Sequence, residues 1–260
     1  MRIFFIVDEF PFFLPEYLDS VVLGLEGEHA IAGITPLVTP KNHKTLYTYI
    51  KAQIFHLGIL NIIKLSFEAG KLQVGKILFA LSITKNPKTI LQVAKKHRIK
   101  IINTVNVNDK NYLEKLRKLK VDIIVSSCSQ IFKKDILAIP KISCINRHSA
   151  FLPSYGGLFP VFYAMINNEK YIGVTVHRMV QQIDGGSILS QIKIPVRKND
   201  SLFSLYRKSY EQSVNATLEA IKKLKLNNSY FVKPIVEASY FSFPEEKHWK
   251  IFWKKNEKII

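Results

Sequence analysis

Cysteine is nearly missing from this chain. Two occur in 260 residues, Cys128 and Cys144, and both sit in apolar, strand-like runs. So sparse a supply excludes a disulfide-stapled scaffold and points to buried thiols in a reducing compartment. No C-x-x-C pair and no His/Cys cluster has metal-ligand spacing, so no metal is expected. No uncharged apolar run reaches the ~18 residues of a membrane span; the longest candidate, AQIFHLGILNII, falls short. The opening MRIFFIVDEFPFF carries Asp8 and Glu9 where a signal peptide would continue its apolar stretch. It reads as a first strand, and the protein as cytoplasmic. Internal repeats and low-complexity linkers are absent too.

Acidic residues are also scarce. Against 38 Lys and Arg stand 20 Asp and Glu, a net charge of +18. The imbalance is uneven: residues 41–100 hold twelve Lys/Arg and the single acid Glu68. Such a stretch favours an anionic partner, whether phosphate, nucleic acid or acidic lipid; the plain alternative is a Lys-rich composition on solvated faces. The apolar share, 47%, is ample for a core, and the length fits one larger domain, or one domain with a small appendage.

Strand and helix signals alternate. RIFFIV, HAIAGITPLV, KIINT (100–104), VDIIVSS and ISCINRH read as five strands. Between them lie helices: LPEYLDSVVLGLE, with Leu18, Val21, Val22 and Leu25 on one face; NDKNYLEKLRKLK, capped by Asn108; and KKDILAI, stopped by Pro140. Then follow a helix entered at Pro160, strands GVTVHRM and SILSQIKIPV, and a long helix from Ser201. The tail from Asn227 reads as irregular, with Trp249 and Trp253 anchoring it to the body. This rhythm predicts an α/β fold with a doubly wound, mostly parallel sheet. Residues 1–200 form its expected domain, with a helical insertion at about 43–97 and a C-terminal helix and tail over 201–260. Within the insertion Lys44 and Lys51 share one helical face and Lys64, Glu68 and Lys71 another, so a break is expected near Gly58. A buried hairpin is the first reading of the insertion; an interfacial helix in peripheral membrane contact and a homodimer interface are the others.

The stretch INRHSAFLPSYGGLFP holds the chemistry. Alternate residues of an extended segment point the same way, so Asn146 and His148 can face one cavity. Ligands of such sheets bind at strand carboxyl ends, where this pair lies. A third group follows in QQIDGGS: Asp184, before two glycines that allow a close backbone approach. One helix and one strand fill the gap from His148 to Asp184, and a strand–helix–strand unit returns its two loops to one sheet edge. The three can meet there. The other histidines, His29, His43, His56 and His97, read as structural or surface, and His177 as packed mid-strand.

The motifs NRH, LPSYGGLFP, GVTVHRM and IDGG, in this order and spacing, resemble the folate-dependent formyltransferases, which include the methionyl-tRNA formyltransferases and, closest in kind, the sugar N-formyltransferases. The likeness is good over about Val121 to Val196, looser over Met1 to Leu18 and from Ser201, and fails over 43–97. It implies a Rossmann-like formyltransferase fold and 10-formyltetrahydrofolate as formyl donor. It gives Asn146 and His148 the stabilisation of an oxyanion and Asp184 the proton of the attacking amine. The implied pterin site is Ser126, Ser127, Cys128, Ser129, Gln130, Ile131 and Phe132 after the fourth strand, with Val180, Gln181, Gln182 and Ile183 before the catalytic Asp. Tyr155, Gly156 and Gly157 are placed toward the substrate. Two positions depart from the family pattern: Ala150 stands where Ser is usual, after Ser149, and Gly156 where Arg or Lys is frequent. The expected acceptor is a nucleotide-linked amino sugar. Methionyl-tRNA ranks second, because the chain ends soon after Ile235 without room for the tRNA enzymes' extra barrel, and nucleic acid is not expected as a partner. A lipid-linked amino sugar at the membrane surface is a further alternative, and glycinamide ribonucleotide a more distant one.

Overall fold

Alternation along the first strand sorts the molecule into layers. Strand β1 (Arg2–Asp8) sends Ile3, Phe5 and Val7 into one core and Phe4 and Ile6 into a second on the opposite face of the sheet. The computed structural model describes residues 1–10, 12–37, 56–226, 237–255 and 257–260. Around β1 stand β2 (Ala30–Leu37), β3 (Ile123–Ser127), β4 (Ser143–His148), β6 (Tyr171–Arg178) and β7 (Ile188–Pro195), in the order β2-β1-β3-β4-β6-β7. The first four of that order run parallel; β6 is antiparallel to both its neighbours. A separate ribbon pairs β5 (Gly156–Gly157) with β8 (Tyr240–Phe241).

Helices cover both faces. The larger core takes α1 (Leu14–Leu25), α3 (Ile90–Lys96), α6 (Pro160–Ile166), α7 (Leu202–Lys225) and α8 (Glu246–Lys254). The smaller core takes α4 (Lys110–Lys118) and α5 (Lys134–Leu137). Leu18, Val21, Val22 and Leu25 of α1 are all buried, as their spacing requires. Helix α7 opens on Ser201, whose hydroxyl accepts from Ser204 N at 3.1 Å while the Ser204 hydroxyl answers Ser201 N at 2.9 Å.

Four expectations are corrected. The predicted strand at 100–104 is a single bridge, Ile34 to Ile101. Beyond it the Thr104 hydroxyl ties a turn, accepting from Asn106 N at 3.2 Å and donating to Asn106 O at 2.8 Å, which draws the backbone off the ladder. The cap of α4 is Asp109, which accepts from Tyr112 N at 2.9 Å. Asn108 is occupied elsewhere: it donates to Ile131 O and accepts from Lys133 N, both at 2.9 Å. The tail is not irregular throughout, since β8 and α8 lie in it, and Trp249 and Phe252 bury against Phe162 at ring separations of 4.7 and 5.2 Å. The buried hairpin is overturned over 59–80 only, since α3, also within the insertion, buries Ile90, Val93 and Ala94 in the larger core. Gly58, with φ +73°, opens α2 (Ile59–Ala80), and no residue of that 22-residue helix is buried. Lys44, Lys51 and His43 lie outside the described residues. Among the described residues no helix is long and apolar enough to cross a membrane.

Candidate active site

Strand alternation splits the motif. Asn146 and His148 stand half-buried on one face of β4, and Arg147 is buried on the other. Arg147 pins β4 to α7: its Nε donates to Ser213 Oγ at 2.8 Å, its Nη2 to Ser149 Oγ at 2.5 Å and Ser209 Oγ at 3.2 Å, and its guanidinium lies 3.8 Å from the Tyr210 ring centroid. Ser149 is therefore spent on this cluster, and Ala150 is buried beside it.

Asp184 reaches the pair by a route other than the parallel return read from the sequence. Because β6 is antiparallel to β4, Arg178 ends opposite Ile145, away from His148. The chain then folds back. Gly186 lies so close to Arg178 that an added Cβ would overlap the Arg178 carbonyl oxygen, and Asp184 takes the left-handed φ of +53° that Asp tolerates. The fold-back sets Asp184 Oδ2 4.0 Å from His148 Nε2 and within 2.8 Å of Gly157 N, which donates to it.

The reading of His177 as packed mid-strand holds, and its surroundings add to it. His177 is packed, but it is packed into the site. Asn146 and His177 are cross-strand partners. His177 Nε2 lies 3.4 Å from Asn146 Nδ2 and 3.6 Å from Asp184 Oδ1. Its Nδ1 donates to Arg178 O at 2.9 Å. Burial first, then the neighbouring His148, pulls its pKa down to about 4 against the pull of Asp184, so it is neutral at physiological pH. The cue was available, since strand period 2 places an in-register neighbour of Asn146 on the same face, but register itself was not legible.

The Tyr155–Gly157 segment closes the other side. The Tyr155 carbonyl accepts from His148 Nε2 at 3.1 Å. Its ring turns away, stacking on Phe241 at 5.5 Å, with the hydroxyl donating to Glu169 at 2.7 Å. Tail residues invisible to motif reading hold this segment: Ser239 Oγ accepts from Tyr155 N at 2.8 Å, and Ser239 O from Gly156 N at 2.9 Å. A cavity of about 150 Å³ lies behind Tyr155, lined by Ser149, Phe151, Glu169 and Lys193 among others, and takes in none of Asn146, His148 and Asp184.

The loop after β3 leaves beside Asn146, because Ser126 pairs with Asn146 in register. Ser126 and Phe132 are buried, Ser127, Cys128 and Gln130 half-buried, and Ser129 and Ile131 exposed. Two polar groups here hold the loop itself: Gln130 clamps Val107 N and Val105 O at 3.0 and 2.9 Å, and Ser129 N donates to Asp8 Oδ2 at 2.9 Å. Burial pushes the thiols of Cys128 and Cys144 up to about 12, so neither is a thiolate at neutral pH. Val180, Gln181, Gln182 and Ile183 are exposed before Asp184.

A family model described as formyl transferase matches residues 76–221, more than half of the chain. The bifunctional polymyxin resistance protein ArnA of Wigglesworthia glossinidia brevipalpis is 36% identical over 218 residues, 80% of this chain and 32% of that protein. Methionyl-tRNA formyltransferase of Enterococcus faecalis is 32% identical over 177 residues, 67% of this chain and 56% of its own. The chain thus spans about a third to a little over half the length of these curated relatives. The same fold occurs in an N-formyltransferase from Helicobacter canadensis solved with folinic acid and dTDP-3-aminofucose, with TM-score 0.60, 21% identity, and coverage of 93% of this chain and 71% of that one. It occurs also in phosphoribosylglycinamide formyltransferase from Anaplasma phagocytophilum, with TM-score 0.62, 15% identity, and coverage of 94% and 99%.

Proposed function

This chain belongs to the formyl transferase family, and from that premise we propose that it moves a formyl group from 10-formyltetrahydrofolate to the amine of a nucleotide-linked amino sugar. The observation that carries the reading is the convergence of Asn146, His148 and Asp184, with Asp184 Oδ2 4.0 Å from His148 Nε2.

Each group has a distinct task. The Asn146 amide gives one N–H to His177 and keeps the other for an oxygen on which negative charge develops. His148 directs Nε2–H at the Tyr155 carbonyl, so it donates through its second nitrogen only when doubly protonated. The Asp184 carboxylate lies 4.0 Å from His148 Nε2, within reach of the same reacting centre. Asp184, held by Gly157 N, accepts the proton that the attacking amine must lose, and that proton passes to the donor nitrogen as its bond to the formyl carbon breaks and tetrahydrofolate leaves. The donor supplies the activated formyl group, and a flat ring needs an apolar slot. Ile131 at 61% exposure, Val180 at 46% and Ile183 at 49% offer open apolar surface on the two loops assigned to it. The backbones of Ser126–Phe132 and Val180–Ile183 would hold its polar edge.

The tail supports a compact acceptor. Strand β8 folds back along Gly156–Gly157, so residues 239–241 wall one side of the site. Tyr240, 62% exposed, presents an aromatic face beside Gly157. Methionyl-tRNA is the second reading, favoured by the Enterococcus faecalis relative at 32% identity. A parallel assay of nucleotide-linked amino sugars and charged initiator tRNA, with the same formyl donor, separates them. Turnover confined to a sugar supports the proposal, and turnover confined to the tRNA replaces it with the second reading.

A further inference from the structure

We infer that α2 docks the protein on the surface of an anionic lipid membrane, lying in the plane of the headgroups. Leu60, Ile63, Phe67, Val74, Ile77 and Leu81, the last being the helix's C-cap, are each 57–71% exposed. At ~100° per residue they fall on one stripe about 100° wide. Ala69, Leu72 and Lys76, on the other side of the helix, are half-buried toward the body. The open stripe is therefore the face that a buried helix would have hidden, turned outward.

Charge identifies what covers it. Lys64 and Lys71 are exposed along one border of the stripe, with Ser66 and Gln73 along the other. Glu68 is the one carboxylate of the helix, and it is bound to Lys71 at 2.6 Å. A second copy packed antiparallel would set lysines against lysines, and a parallel copy would set them against Ser66 and Gln73, while the one carboxylate, Glu68, is already bound within its own helix. The net charge of +18 opposes self-association further. A nucleic-acid backbone would reward the lysines and leave the aliphatic stripe in water. Acidic lipid satisfies both, because acyl chains take the apolar stripe and headgroups the ammonium groups.

Co-sedimentation of the full chain with phosphatidylcholine vesicles, with and without phosphatidylglycerol, tests this, alongside Phe67→Glu and Ile77→Glu. Both positions are solvent-facing and outside the active site, so helicity by circular dichroism and thermal melting should be retained. The expected result is at least a ~10-fold stronger partition onto the phosphatidylglycerol vesicles, weakened by salt and cut about tenfold by either substitution. No partition, or partition that neither substitution changes, would overturn the proposal. So would a concentration-dependent dimer in sedimentation that Phe67→Glu dissolves without vesicle binding, which would give the stripe to a second copy.

Discussion

His177 Nε2 lies 3.4 Å from Asn146 Nδ2, and the opposite ring nitrogen donates to Arg178 O at 2.9 Å. The two contacts fix one tautomer. A carbonyl has no proton to give, so Nδ1 carries the proton and neutral Nε2 accepts from the Asn146 amide. His177 thereby orients the amide that the proposed reaction uses, while lying outside the three motif residues.

Replacing His177 by Phe keeps much of the volume and removes the acceptor. The expected result is a kcat lowered by about 10- to 100-fold with KM nearly unchanged, since a misaimed donor costs about that much. Steady-state kinetics check it. His177→Gln, which restores an acceptor, should recover part of the loss; equal loss in both variants would leave His177 as packing alone.

The same residue sets an acid limb of stability. Its pKa is about 4 in the folded chain against an ordinary 6.5. Between those values the unfolded chain binds a proton that the native one does not, so this contribution is fully present above 6.5 and is lost as pH falls through about 4. Denaturant titrations across that window should show a shallower pH slope for His177→Phe than for the parent.

Asp8 runs the other way. Burial raises its carboxyl from 3.8 to about 6, despite the hydrogen bond from Ser129 N. Its contribution is present below 3.8 and lost as pH rises through about 6. Asp8→Asn should therefore raise the Tm at pH 8 and leave it nearly unchanged at pH 4. A loss of stability at pH 8 would mean that the charged hydrogen bond outweighs burial.

Gly157 couples the tail to the site. Its φ is +87°, and an added Cβ would collide with Phe241 O of β8. Gly157→Ala should cost about 1–3 kcal/mol and loosen β8. Limited proteolysis should then cut within 237–245 faster than in the parent; unchanged protection there would show that β8 holds without its partner's close approach.

Legibility followed the range of the interactions. The strands β1, β3, β4 and β6 and helices α1 and α7 were readable because period and caps are local. Motif order singled out Asn146, His148 and Asp184, and the fold brings Asp184 Oδ2 to 4.0 Å from His148 Nε2. What failed depended on partners distant in sequence. Asn108 gave up its cap to bind Ile131 and Lys133. His177 joined the site through an antiparallel register. Ser239 reached Tyr155 from 84 residues away. Helix α2 shows an amphipathic stripe whose direction, outward and not inward, no periodicity specifies.

The most direct test of the central claim is Asp184→Asn, assayed for transfer of labelled formyl from 10-formyltetrahydrofolate to the acceptor that the parent protein turns over. The amide can still accept from Gly157 N, so the fold and Tm should stay close to the parent's. It takes no proton from the amine. The expected outcome is a rate lowered by at least about 100-fold in a folded protein. A folded Asp184→Asn protein that transfers formyl at the parent's rate would contradict the account, because the base would then have to be another residue.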